Sequence, residues 1–244
     1  MFEAPKEIAS DYFLLKIKHH GEIPQAGQFI NLKVNSTLDP LLRRPFSIFN
    51  YSHKKIEIII KKKGKGTSLL TKKAAEPLDF LGPLGEPFTL VEKKEVLLIG
   101  GGVGNAPLFF LSQALKKLKN KITFLYGIKT SSEIFLTEKF KKQADNLIFV
   151  TEDGSKGEKG LVTDYLPEIC SKENFAKIYT CGPTKMMQRI VELSSLPVEV
   201  SLENYFGCGI GLCSGCTVET SSGLKRACVE GPVFSGKEIN WAKL

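Results

Sequence analysis

Two kinds of apolar patterning divide this chain. Up to residue 92 the apolar positions come in short runs broken by glycine and proline, at 12–17, 29–34, 46–49 and 56–60. Strands this short, separated by turn residues, predict an antiparallel barrel or sandwich. From residue 93 the period changes. Residues 96–99 (Val-Leu-Leu-Ile) form a continuous apolar run, as a strand covered on both faces requires. Leu108, Leu111, Leu115 and Leu118 then recur at helical spacing and make one apolar stripe. Further strand candidates at 122–126, 147–150, 178–181 and 198–202 alternate with helical segments at 133–143, 161–170 and 185–193. That alternation predicts a parallel sheet with helices on both faces. Beyond residue 202 a small hairpin is expected, 217–220 and 225–227 around the turn Ser221-Ser222-Gly223. The pattern divides the chain at 1–92, 93–202 and 203–244.

Composition changes this picture little. With 42% hydrophobic and 25% charged residues the chain is ordinary for a globular protein. The net charge of +8 comes mostly from lysine, with clusters at Lys61-Lys62-Lys63 and Lys116-Lys117. No nucleic-acid motif accompanies them, so they read as a solvated surface and no nucleic-acid partner is expected. No apolar run approaches the ~20 residues of a membrane span, and the N-terminus shows no secretory signal. A cytoplasmic protein is expected, in which six cysteines are ligands or buried thiols rather than disulfides. His19, His20 and His53 fall in turns and are assigned no chemistry.

Candidate chemistry concentrates in five stretches. Arg43-Arg44-Pro45-Phe46-Ser47-Ile48 puts an arginine, a rigid proline and a hydroxyl where a strand begins. Such an arginine holds a phosphate in bidentate fashion while the following residues line a flat ring. Gly64-Lys65-Gly66-Thr67 opens a short helical segment, with Thr67 near its N-cap, and presents free N–H groups to an anion. The blander reading has Arg44 paired with a surface carboxylate and the glycines merely turning the chain; it weakens because the two motifs stand in order, about twenty residues apart. Next, Gly100-Gly101-Gly102-Val103-Gly104 follows the 96–99 strand, with Asn105 as a candidate N-cap and Pro107 in the first helical turn. It is not the dinucleotide fingerprint, and tight helix–sheet packing explains it equally. Cys181-Gly182-Pro183 closes a later strand, where Cys181 reads by default as a small buried hydrophobe, as does Cys170.

The fifth stretch is the sharpest. Cys208, Cys213, Cys216 and Cys228 are spaced C-x4-C-x2-C-x11-C, the first three interleaved with glycines. C-x4-C-x2-C is the plant-type ferredoxin spacing for a 2Fe–2S cluster. A zinc ribbon would use two C-x2-C knuckles, and here Cys213 and Cys216 form one. Iron is preferred over zinc.

The arginine and glycine motifs together resemble the R-x-Y/F-S and G-x-x-S/T motifs that hold FAD in the ferredoxin reductase superfamily. The segment 77–85, with Leu81-Gly82-Pro83-Leu84-Gly85, resembles the last barrel strand and exit loop there. The glycine loop resembles that superfamily's G-G-G-x-G-x-A-P-L motif, and Cys181-Gly182-Pro183 its C-G-P-x-x-M loop beside the nicotinamide. With the C-terminal cysteines and Gly231-Pro232-Val233-Phe234, nearly the whole chain resembles one family: the electron-transfer subunit of type B, NAD-dependent, dihydroorotate dehydrogenase.

The resemblance implies an N-terminal antiparallel flavin-binding β-barrel, a parallel-sheet nicotinamide-binding α/β domain and a small cluster-binding segment. FAD would contact Arg44, Pro45, Phe46, Ser47, Ile59, Ile60, Lys61, Gly66 and Thr67. The family often has an aromatic residue and an arginine where this chain has Ile60 and Lys61, which leaves backbone contacts there. NAD, as exchangeable substrate, would lie over Gly101, Gly102, Gly104, Cys181, Gly182 and Pro183, and the cluster on the four cysteines. Electrons would come from the FMN of a dihydroorotate-oxidising partner subunit, pass through the cluster to FAD, and reduce NAD⁺ in pyrimidine (UMP) biosynthesis. A heterotetramer of two of each chain is implied, and no catalytic acid or base on this one. No acidic residue ends the strand before Lys129, which leaves NAD and NADP both open. Two alternatives stand beside this reading: a reductase subunit of a sulfide dehydrogenase or ferredoxin–NADP reductase type, and a zinc-bearing module without redox chemistry.

Overall fold

The computed structural model describes residues 3–72 and 78–244. Pro77, with which the expected last barrel strand begins, lies outside them. The first unit is a six-stranded antiparallel sheet in the order β1-β2-β5-β4-β3-β6. Its strands are β1 (Lys6–Ala9), β2 (Tyr12–Lys18), β3 (Phe29–Leu32), β4 (Arg44–Ser52), β5 (Lys55–Lys61) and β6 (Phe80–Leu84), with helix α1 (Lys65–Thr71) after β5. Alternation decides which side chain goes where. Ile56, Ile58 and Ile60 join Leu15, Ile17, Ile30, Leu32 and Ile48 in a core inside this sheet. Tyr12, Leu14, Phe49 and Ile59 point the other way, into a second core shared with the next unit. The sheet is therefore buried on both faces.

That next unit is a seven-stranded sheet in the order β10-β9-β8-β7-β11-β12-β15. It comprises β7 (Glu95–Gly101), β8 (Lys121–Ile128), β9 (Asn146–Thr151), β10 (Glu158–Lys159), β11 (Lys177–Cys181) and β12 (Val198–Ser201), all parallel, with β15 (Val233–Ser235) antiparallel at the edge. Helices α2 (Asn105–Lys117), α3 (Thr137–Gln143), α4 (Val162–Lys172) and α5 (Thr184–Leu193) connect them. From β7 the chain winds outward through β8, β9 and β10, then returns to β11 on the other side of β7. The order thus reverses between β7 and β11, where Gly100 stands opposite Cys181. In open parallel sheets a ligand crevice forms at that reversal, at the carboxyl ends of the strands.

Three local expectations are revised. The helix expected at 133–143 is split: Ser131–Glu133 is a single 3₁₀ turn, and α3 starts only after Leu136, whose φ is +51°. Phe135 forces the break, because it is drawn completely into the core against Tyr12 and Tyr126, 5.2 and 5.7 Å away between ring centres. Asn105 is not an N-cap but the first residue of α2, behind Gly104. Beyond the expected hairpin of β13 (Thr217–Thr220) and β14 (Gly223–Arg226), the chain returns to lay β15 against β12.

A cysteine loop beside two joined clefts

Two clefts open along the seam between the units. The first, about 230 Å³, is lined by Phe29, Pro45, Phe46, Ser47 and Ile59 of the barrel and by Val103, Ala106 and Pro107 of the glycine loop and α2. Leu202, Glu203, Asn204 and Phe206 close it. The second, about 640 Å³, runs over Gly101, Gly102, Val103, Gly182 and Pro183 at the strand reversal, then past Gly127–Lys129 and Glu152 to the start of α4. Lys61, Lys63, Val103 and Glu203 line both. A flat ring in the first cleft would therefore face a ligand in the second.

The arginine and glycine motifs meet at one end of the barrel. A Cβ on Gly66 would lie 3.0 Å from Arg44 Nε, so the guanidinium rests on the first turn of α1. Arg44 donates to the Leu42 and Arg43 carbonyls at 2.8 and 3.2 Å; the arginine that pairs with a surface carboxylate, Asp79, is Arg43. Thr67 stands near the N-cap, at the third position of α1. The N-cap is Gly64, and the Thr67 hydroxyl turns back to accept from the Lys63 and Gly64 N–H groups at 2.9 and 3.1 Å. Its side chain is occupied with capping, which leaves its backbone N–H for an anion. Ile60 likewise points into the barrel core and offers the clefts only its backbone, whereas Ile59 and Lys61 reach them.

Gly104 and Cys181 serve packing rather than the cleft wall. A Cβ on Gly104 would lie 2.2 Å from the Cys181 carbonyl oxygen, so this glycine lets α2 start hard against β11. Burial, and secondarily Glu203, push the Cys181 thiol far above its ordinary value. Cys170 is half-buried on α4, its thiol also raised by burial. At the seam Lys61 Nζ donates to Tyr12 Oη and Glu133 Oε2 at 2.9 and 2.7 Å, and Tyr12 donates to the same carboxylate at 3.1 Å. Burial and then Glu133 push the Tyr12 hydroxyl up, so it stays protonated and a donor. Glu203 is exposed yet lies in a concavity, where it lines both clefts. Desolvation raises its carboxyl, against the opposing pull of Lys63.

Sequence reasoning missed Glu152. No acidic residue ends β8, but the neighbouring strand supplies one: Glu152 follows β9, donates its N–H to the Ile128 carbonyl at 3.2 Å and lines the second cleft with Lys129. Only the strand order, which sequence does not print, brings these two positions together.

The cysteine loop lies on the far side of the first cleft. Cys208 and Cys213 face each other, and so do Cys216 and Cys228. Backbone N–H groups converge on the sulfurs: Ile210, Leu212 and Cys213 toward Cys208 at 3.5, 3.3 and 3.4 Å, Gly211 toward Cys228 at 3.2 Å, and Gly215 toward Cys213 at 3.5 Å. Gly209 and Gly211 make this possible with φ of +75° and +83°. The inward N–H groups pull the Cys208 thiol down to about 6, and burial pushes Cys228 up to about 12. Four cysteines in one loop, with backbone N–H groups aimed at their sulfurs, have the donor set that would hold an iron–sulfur cluster.

The fold, with two cofactor clefts and a cysteine loop, is that of a ferredoxin-reductase-like flavin and iron–sulfur oxidoreductase. The chain matches the NAD-binding domain of oxidoreductases over residues 98–192 and the iron–sulfur cluster binding domain of dihydroorotate dehydrogenase B over residues 203–240. It is 39% identical to a dihydroorotate dehydrogenase B (NAD(+)) electron transfer subunit from Bacillus caldolyticus, covering 89% of this chain and 88% of that one. It is 37% identical to the Bacillus pumilus (strain SAFR-032) subunit, over 96% and 94%. The chain belongs to this family of electron transfer subunits. Among solved structures, one of an NADH-dependent reduced ferredoxin-NADP oxidoreductase superposes with a TM-score of 0.90 at 32% identity, over 100% of this chain and 90% of that one.

Proposed function

We propose that this chain relays electrons between a dihydroorotate-oxidising FMN subunit and NAD⁺. One observation carries the reading: the two clefts share a wall, and the cysteine loop adjoins the first through Phe206, whose ring packs on cleft residue Phe29 at 4.9 Å. A 2Fe–2S cluster there would pass single electrons, and FAD would collect two of them for hydride transfer to NAD⁺.

The residues divide the work. Cys208, Cys213, Cys216 and Cys228 are the cluster ligands. Pro45, Phe46, Ser47 and Ile59 form the wall against which a flavin ring lies, with backbone contacts at Ile60. The Arg44 guanidinium and the free N–H groups of Lys65, Gly66 and Thr67 take the pyrophosphate. Gly101, Gly102, Gly182 and Pro183 make the floor for the nicotinamide nucleotide, and Gly104 and Cys181 support it from below. The corresponding units are 1–92 for FAD, 93–202 for NAD and 203–244 for the cluster. The family arrangement of two such chains with two catalytic subunits, in the cytoplasm, belongs to the same proposal.

The partner would dock over the cysteine loop. Tyr205 and Leu212 are 93% and 81% exposed there, beside the exposed Cys213, an unusual display of apolar surface. Copurification from the native source tests this: a dihydroorotate-oxidising flavoprotein should elute with the chain, and elution with a different redox partner would refute it. A second reading has one observation in its favour. The superposition on the ferredoxin-NADP oxidoreductase is nearly complete, and a partner of that kind would appear in the same experiment.

A further inference from the structure

Besides the packing of Phe29 on Phe206, a side-chain hydrogen bond ties the barrel to the cysteine loop. Asn31 is fully buried in β3, paired in the ladder with Pro45 of β4 and Leu81 of β6. Its neighbours Ile30 and Leu32 point into the barrel core, so Asn31 points out of it. There its Nδ2 donates to the Cys208 carbonyl at 3.1 Å. The approach leaves no room on the other side, since a Cβ on Gly209 would lie 2.3 Å from Asn31 Nδ2. The asparagine also carries a penalty: its Oδ1 is buried with no hydrogen bond. A leucine of similar size would fill the position without that penalty, so the amide must be explained by what it holds.

We propose that Asn31 is a positioning residue that sets the place of the cluster relative to the flavin. Its hydrogen bond joins the carbonyl of the first cysteine ligand to a strand whose ladder partner, Pro45, belongs to the flavin wall. Across the loop Arg226 supplies a second anchor, donating to the Gly211 carbonyl at 2.9 Å while paired with Glu230. That anchor comes from the cysteine segment itself; among the described residues Asn31 makes the side-chain hydrogen bond from the barrel to this loop. The inference rests on the assignment of Cys208, Cys213, Cys216 and Cys228 as cluster ligands. With both groups bound, an electron passing either way would change the flavin by one electron and one iron between ferric and ferrous, and Asn31 supplies neither electron nor proton. It fixes the separation the electron crosses and the orientation of the peptide behind Cys208.

Asn31→Leu in the full chain, purified anaerobically, tests this. Iron, sulfide and FAD contents should match the unsubstituted protein, and NADH should reduce the flavin at an unchanged rate. The flavin-to-cluster step, followed by stopped flow, should slow about tenfold, as when a group supporting a metal ligand is lost. The paramagnetic resonance line shape of the reduced cluster should change with it. Unchanged transfer and line shape would overturn the proposal, and so would loss of FAD together with the cluster. Should Asn31→Leu not fold, Gly209→Ala presses on the same contact from the loop. It should reproduce both changes, and an unaltered signal from it overturns the proposal equally. A colourless, zinc-bearing unsubstituted protein would instead remove the cluster assignment itself.

Discussion

Lys61 at the end of β5 and Glu133 after β8 pair across the seam between the two units, and their separation is the most direct perturbation of it. Their side chains are 22% and 16% exposed, and Tyr12, which bonds to both, is fully buried. An exposed ion pair is worth ~0–1 kcal/mol, whereas breaking a fully buried one costs ~3–5 kcal/mol. Lys61→Met would leave the Glu133 carboxylate with the Tyr12 hydroxyl as its partner in a mostly closed site. The burial places the cost between those limits, at about 2 kcal/mol. For a chain of this length that lowers Tm by about 4–8 °C. Removing both charges, as Lys61→Met with Glu133→Leu, should recover part of the loss, with a coupling of about 1 kcal/mol or more. Calorimetry should be run on flavin-stripped protein, because Lys61 also lines the first cleft and bound FAD would add its own stabilisation. Two single variants within about 0.5 kcal/mol of wild type, or strictly additive effects, would refute the reasoning.

Other outcomes follow from neighbouring residues. Gly104→Ala should destabilise by about 1–3 kcal/mol or more, measured by urea unfolding, because its methyl group would meet the Cys181 carbonyl, which cannot swing aside. Glu152→Lys should improve use of the 2′-phosphorylated nucleotide over the unphosphorylated one by roughly tenfold in kcat/KM, about 1.4 kcal/mol, by replacing a like charge with an opposite one. Glu203 should make stability depend on pH. Its folded-state value is raised, so the folded chain holds that proton to higher pH than the unfolded chain does. Stability attributable to this group is full below the ordinary carboxylate range and is lost as pH rises through the raised value. Glu203→Gln should therefore gain Tm relative to wild type at pH 8 but not at pH 4; a constant difference would contradict this.

The two units were legible because their cores follow simple periods. The alternation of Ile56, Ile58 and Ile60 survives in the fold, as do Leu108, Leu111 and Leu115 of the helical stripe, while Leu118 becomes the C-cap of α2 and is only partly buried. The gathering of Cys208, Cys213, Cys216 and Cys228 in one loop region was legible because the four stand close in sequence. What escaped depends on distant partners. Val233–Ser235 is too short to register as a strand, and it becomes one only beside β12. Phe135 falls in the segment expected to be helical, yet the aromatic pocket of Tyr12 and Tyr126 pulls it inward and breaks the helix. Asn31 looks like a polar interruption in an apolar strand, and its partner stands 177 residues away. Thr67 shows the converse limit, since its residue type suited an anion site while capping geometry took its hydroxyl.

On the function proposed above, one chain connects a nicotinamide nucleotide to an iron–sulfur cluster through a flavin. Anaerobic titration of the purified chain with NADH, followed by visible absorbance and by paramagnetic resonance, tests it most directly. The flavin absorbance should bleach and the signal of a reduced 2Fe–2S cluster should grow in the same titration, with Cys213→Ser retaining the first change and losing the second. Bleaching with no cluster signal in the unsubstituted protein, or a colourless protein holding stoichiometric zinc, would contradict the account.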